Sequence, residues 1–121
     1  MAIQVRRIYD PPAASDGYRV LVDRLWPRGL LKERAAIDEW LREVSPSTAL
    51  RHWFEHDPAK WDEFKRRYAE ELAAPAAVEA IARLRELDAG GTVTLLYSAT
   101  ERAMNNAVAL AEYLAGQGEP G

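Results

Sequence analysis

Thr92-Val93-Thr94-Leu95-Leu96-Tyr97, followed by Ser98-Ala99-Thr100-Glu101, decides the fold class. Its first six residues are apolar or β-branched almost without a break, and such a run reads as a strand covered on both faces. Gly90-Gly91 stands just before it and ends an upstream helix, Pro75 to Asp88, in which Val78, Ile81, Leu84 and Leu87 recur at helical spacing. After it, Ser98 and Glu101 have the spacing of a capping box, which predicts a last helix with Met104, Ala107, Val108, Ala111 and Leu114 inward. A buried strand between two helices is the unit of an α/β fold.

The rest of the chain extends the same alternation. Ile3, Val5 and Ile8 mark a first strand, ended by Asp10-Pro11-Pro12, and Tyr18 to Asp23 a second. Leu30 to Ala36 reads as a short helix. Ile37, Trp40, Leu41 and Val44 have helical spacing, but the segment is short and stops at Ser45-Pro46, so it is read as a strand. Ser45-Pro46 and Asp57-Pro58 each have the form of a helix start, a capping side chain followed by proline. Leu50, Trp53 and Phe54 follow the first, and Trp61, Phe64, Tyr68 and Leu72 follow the second. The expected fold is a single compact three-layer α/β domain over residues 1–121, with a small, mostly parallel sheet flanked by helices and a tail from about Gly116.

Composition bounds the function. With 48% hydrophobic and 29% charged residues, the 121-residue chain has the balance of a soluble globular domain with one core. The formal charge of −3 argues against general nucleic-acid binding, which depends on neutralising phosphates. The absence of cysteine excludes disulfides, thiolate nucleophiles and zinc-thiolate sites, and fits a cytoplasmic setting. No apolar run approaches membrane-spanning length. A homo-oligomer is left open.

The chemistry concentrates where the second strand ends. Val20-Leu21-Val22 runs into Asp23-Arg24-Leu25-Trp26-Pro27-Arg28-Gly29, which puts an acid, two arginines and a tryptophan at a strand's carboxyl end, where open α/β sheets bind ligands. Arg24 and Arg28 carry planar forks suited to a phosphate or carboxylate, and Trp26 offers a face to pack on. Asp23 would orient an arginine or act as a base. The same residues also read as an ion pair tying the sheet to a helix, with Trp26 in the core. If the strands ending at Asp23 and Tyr97 are parallel neighbours, Tyr97, Ser98 and Asn105 join one crevice at the start of the last helix. For Ser98 alone, helix capping is a sufficient explanation.

His52 and His56 flank Glu55 at a spacing that invites a metal reading. A zinc site needs both on one helix face and a third ligand, and Asp57-Pro58 ends the helix near His56. No metal or cofactor is expected, and His56 stays a candidate general acid or base. Phosphate loops, nucleophile elbows and dinucleotide fingerprints are missing from the sequence.

Arg19-Val20-Leu21-Val22-Asp23-Arg24-Leu25-Trp26-Pro27-Arg28-Gly29, Trp53-Phe54-Glu55-His56-Asp57-Pro58, Thr94-Leu95-Leu96-Tyr97 and Asn105-Asn106-Ala107-Val108, with Ser45-Pro46-Ser47 and Leu50-Arg51 between, resemble the YeaO-like branch of the family called domain of unknown function 488. The resemblance spans essentially the whole chain. It implies a compact cytoplasmic α/β domain with no established activity. Thr100-Glu101 stands where the family often has a basic residue and an acid, and Met104 where it often has histidine. The leading expectation is a domain that binds, or an enzyme that acts on, a small anionic ligand at the strand-end crevice. The alternative is a nucleic-acid or protein-binding module that uses the arginine loop as its contact surface. Nothing in the sequence settles enzyme against binder.

Overall fold

The computed structural model describes residues 3–117. Four parallel strands form one sheet, in the order β1 (Ile3–Arg7), β4 (Val93–Tyr97), β2 (Tyr18–Leu21), β3 (Glu39–Trp40). β4 is central and every one of its residues is buried, as its unbroken apolar run requires. It pairs with β2 in the register Tyr18–Val93 to Leu21–Leu96, so the carboxyl ends of the two strands lie side by side. The Val22 N–H still donates to the Leu96 carbonyl (3.1 Å), one residue beyond the ladder.

Alternation along the strands divides the core in two. Val20, Val22, Val93, Leu95 and Tyr97 face the larger half with α2 (Thr48–Phe54), α3 (Trp61–Glu71), α4 (Pro75–Gly90) and α5 (Asn106–Gln117). Phe54, Trp61, Phe64 and Tyr68 form an aromatic row there, with Phe54 stacked on Phe64 at 4.3 Å between centroids. Leu21, Leu96 and Ile8 face the other way, under Trp26, Leu30, Ile37 and Trp40 and the short α1 (Lys32–Ala35).

Several local expectations change. The segment from Ile37 to Val44 is a two-residue strand followed by a 3-10 turn at Arg42–Val44, because only Glu39 and Trp40 pair with β2 before the chain turns under the helices. α2 starts at Thr48, with Ser47 as its cap: the Ser47 hydroxyl accepts from the Leu50 N–H (3.1 Å), while the Ser45 hydroxyl donates to the Arg42 carbonyl (2.5 Å). α5 starts at Asn106 and continues through Gly116 to Gln117, so only the end of the expected tail, residues 118–121, lies outside the described part. Val78 is half exposed, and α4 turns Ala77, Ala80, Ile81 and Leu84 to the core instead.

Asp57 and Pro58 do start a helix as expected, with the Asp57 carboxylate accepting from the Ala59 N–H (3.0 Å). Gly17 is required twice over. Its φ is +63°, and a Cβ there would sit 2.3 Å from the Thr92 carbonyl oxygen.

Candidate functional site

A cleft of about 230 Å³ opens where β2 and β4 end, and Asp23, Arg24, Trp26, Arg28, Arg51, Ser98 and Asn106 line it, over a floor made by Ser45 and Pro46. Parallel pairing of β2 with β4 places the Asp23–Gly29 loop and Ser98 against each other. The cleft therefore sits outside the carboxyl ends of neighbouring parallel strands, the usual place for a ligand in such sheets.

Asp23 joins the parts. Its Oδ2 accepts from both the Ser98 N–H (2.9 Å) and the Ser98 hydroxyl (2.6 Å), and its Oδ1 accepts from the Asn106 side-chain amide (3.1 Å). The same amide also donates to the Val22 carbonyl (3.0 Å), and the Trp40 indole N–H to the Asp23 carbonyl (2.7 Å). One carboxylate thus links the ends of β2 and β4 to the first residue of α5. Both its oxygens accept from protein donors, so it holds the cleft wall together. Ser98 serves this link and not a helix cap, and Glu101 turns its carboxylate to the Ala103 and Met104 N–H groups (2.6 and 2.9 Å).

The arginines are arranged differently from a structural ion pair. Arg24 rests its guanidinium on the Pro46 carbonyl through Nε (3.3 Å) and on the Ser45 carbonyl through Nη2 (3.2 Å). Pro46 is buried and Ser45 is 5% exposed, so this anchor is firm. Arg28 and Arg51 are exposed on the rim, and their side chains make no hydrogen bond among the described residues. None of the three lies within ion-pair distance of a carboxylate among the described residues. Three guanidinium groups against the single carboxylate of Asp23 leave a cleft with uncompensated positive charge. Gly29, at φ +75°, takes the left-handed turn that follows Arg28 in this loop.

Trp26 is both core and cleft. Its indole N–H donates to the Leu30 carbonyl (2.8 Å), and its ring meets Trp40 edge-on at 5.5 Å, closing the smaller core. The side that remains free lines the cleft.

Of the residues expected from the sequence, Asp23, Arg24, Trp26, Arg28 and Ser98 converge. Tyr97 does not: it is 2% exposed within the larger core, where burial raises its phenol above the ordinary value. Asn105 is also turned away, fully buried as the cap of α5, with Oδ1 accepting from the Val108 N–H (3.0 Å) and its amide donating to the Glu101 carbonyl (2.9 Å). Its neighbour Asn106 takes the place expected for it. His56 lies in a smaller annex of about 50 Å³, which shares Pro46, Arg51 and Asn106 with the cleft. Its Nδ1 stands 3.3 Å from the Met104 carbonyl, which calls for the proton on Nδ1 because a carbonyl only accepts. His52 is exposed, and the described residues contain no group of side chains arranged to hold a metal ion.

Sequence reasoning missed Arg51. It follows Leu50 on α2, and nothing in its local pattern distinguishes it from a solvated helix arginine; only the packing of α2 beside the cleft does. Beneath the floor, the Tyr68 hydroxyl donates to the Val44 carbonyl. Burial pushes this phenol well above its ordinary range, and the nearby Glu71 and Asp23 carboxylates add to the effect. Among the described residues no helix is long and apolar enough to cross a membrane.

Comparison with known proteins agrees with the motifs. The chain is 45% identical over 114 residues to the Uncharacterized protein YeaO of Escherichia coli (strain K12), covering 94% of this chain and 97% of that protein. It is 40% identical over 115 residues to the Uncharacterized protein Rv3073c of Mycobacterium tuberculosis (strain ATCC 25618 / H37Rv) and to Mb3100c of Mycobacterium bovis, in each case covering 95% of both chains. No solved structure gives a significant match. The family described as the inactive DUF488-N3 subclade matches residues 2–119, and the chain belongs to this YeaO-like family of domains of unknown function.

Proposed function

We propose that this protein binds a small anionic ligand, carrying a phosphate or carboxylate, in the strand-end cleft, and that it does so as a binding domain without chemistry of its own. One observation carries the reading: Arg24, Arg28 and Arg51 line one concave surface, none within ion-pair distance of a carboxylate among the described residues, and Asp23 is the one acid in the lining. A fold that needed these charges only for itself would pair them, because uncompensated like charges crowded together are unfavourable. Planar guanidinium forks suit the oxygens of a phosphate or carboxylate.

Binding without catalysis is supported by Asp23, whose oxygens are engaged by Ser98 and Asn106. Membership of a subclade described as inactive points the same way. A small molecule is favoured over nucleic acid because the chain as a whole carries −3, and the cleft is small and concave. A cytoplasmic setting, which the cysteine-free composition fits, belongs to the same reading.

The test is thermal unfolding in rising phosphate, sulfate and small carboxylates at constant ionic strength. A ligand that binds only the folded state raises the midpoint with its concentration. The wild type should respond, and Arg51→Ala, which loses no side-chain hydrogen bond or ion pair among the described residues, should keep its unliganded midpoint and lose most of the response. A wild type that responds to none of these anions beyond a chloride control sinks the reading.

A further inference from the structure

The annex beside the cleft shares Arg51 with it and adds side chains that the anion reading leaves unused. Pro46, Arg51 and Asn106 form its shared wall with the cleft, while Phe54, Phe64 and His56 close its far side. Phe54 and Phe64 are 3% and 1% exposed, so what they offer is a small apolar surface at the edge of the core. The His56 ring leans on Phe54, with centroids 5.4 Å apart, and its Nδ1 is tied to the Met104 carbonyl. The backbone that sets it there is unusual: Glu55 and His56 are consecutive non-glycine residues at φ +47° and +54°. Glu55 is the left-handed cap that ends α2, its N–H still donating to the Arg51 carbonyl (3.1 Å), and the turn continues through His56 to set its ring at the annex.

Resting on the anion reading above, we propose that the ligand is bipartite: an anionic head held by the arginines of the cleft, joined to a short carbon body that enters the annex between Phe54 and His56. The dimensions limit that body. About 50 Å³ is a few times the ~10–15 Å³ of such space that one water needs, so a chain of two or three carbons fits it. The chemical class is therefore a short-chain alkyl phosphate or the equivalent carboxylate. Arg51 and Asn106 border both spaces, so the head and body meet at these two side chains.

The experiment is an NMR titration of the whole chain with methyl, ethyl, propyl and tert-butyl phosphate at pH 8, where phosphate monoesters are dianions. The expected result is a dissociation constant that falls about fourfold per added methylene up to propyl, the value for burying one CH₂, with the gain lost for tert-butyl. His56→Asn keeps a side chain that tolerates the left-handed backbone. It should lose most of the advantage of propyl over methyl phosphate. If methyl phosphate binds but propyl phosphate binds no tighter, or if His56→Asn retains the gain, the bipartite ligand is overturned while the anion cleft stands. If neither inorganic phosphate nor any ester perturbs the residues of the cleft, the anion reading fails and takes this inference with it.

Discussion

Arg19 lies near the start of β2 and Arg24 in the loop that follows its end, and they are used in opposite ways. Arg19, 5% exposed, meets the buried Asp16 carboxylate through Nη1, the Ala36 carbonyl through Nε (2.8 Å) and the Ala35 carbonyl through Nη2 (3.2 Å). Asp16 is completed by Arg6 (2.8 Å) and by the Ala13 N–H (3.0 Å), and its carbonyl accepts from the Thr94 hydroxyl (2.7 Å). Every charge in that group has a partner from the chain. Arg24 touches only neutral carbonyls, so its charge is positioned without being cancelled. Residue type does not separate scaffold from site here; what separates them is whether a carboxylate stands within reach.

The sharpest way to break the comparison is at the Arg19 end. Asp16→Asn leaves Arg19 buried beside a neutral amide, and loss of one member of a buried pair costs about 3–5 kcal/mol. Urea unfolding of the variant should show that loss with the anion response of the surviving folded protein intact. Acid should act through the same group. Burial by itself raises the Asp16 carboxyl, but hydrogen bonds from Arg6, the Ala13 N–H and Arg19 outweigh it and hold the group below its ordinary 3.8. The unfolded chain therefore takes up this proton first as pH falls. The stabilisation is complete above the ordinary value and is lost as pH drops through the depressed folded one. The gap in stability between wild type and Asp16→Asn should accordingly narrow on acidification below 3.8; a gap independent of pH there would remove Asp16 as its source.

Gly17→Ala strikes the same region by sterics. A left-handed alanine and a collision with the Thr92 carbonyl together should cost about 2–4 kcal/mol, readable as a lowered denaturation midpoint. A change below about 1 kcal/mol, the scale of an ordinary glycine-to-alanine effect, would mean that the β2 entry relaxes more freely than its packing implies.

At the cleft end the balance should reverse. Arg24→Ala removes two long hydrogen bonds to buried carbonyls (3.3 and 3.2 Å), so its stability loss should stay below that of Asp16→Asn, while phosphate binding should weaken by about 1.5–3 kcal/mol, the range for a charged hydrogen bond. Calorimetry and unfolding on the same sample compare the two losses. A stability loss as large as that of Asp16→Asn, with unchanged binding, would make Arg24 another Arg19. The smallest stability effect belongs to Arg28→Lys, which alters an exposed side chain without a partner and should stay within about 0.5 kcal/mol. Because lysine lacks the planar fork, it should still bind phosphate more weakly.

The sequence alone determined the central strand, since Thr92 to Tyr97 is apolar enough to suit only a place covered on both sides. It also determined the helix start at Asp57-Pro58 and the two strand ends where the candidate site lies, because proline, capping side chains and apolar runs act through the backbone within a few residues. Tertiary structure decided what those strand-end residues do. Ser98 and Glu101 have capping-box spacing, yet Ser98 turns to Asp23, 75 positions away, and α5 begins only at Asn106. Asn105 and Asn106 are the same residue type one step apart, and the helix start gives one to the backbone and the other to the cleft. Arg51 reaches the cleft only because α2 packs on α3 beside it. Local patterns fix where the chain becomes strand or helix. Which polar side chain is satisfied by the protein and which is left for a ligand depends on partners that only the folded chain brings within hydrogen-bonding distance.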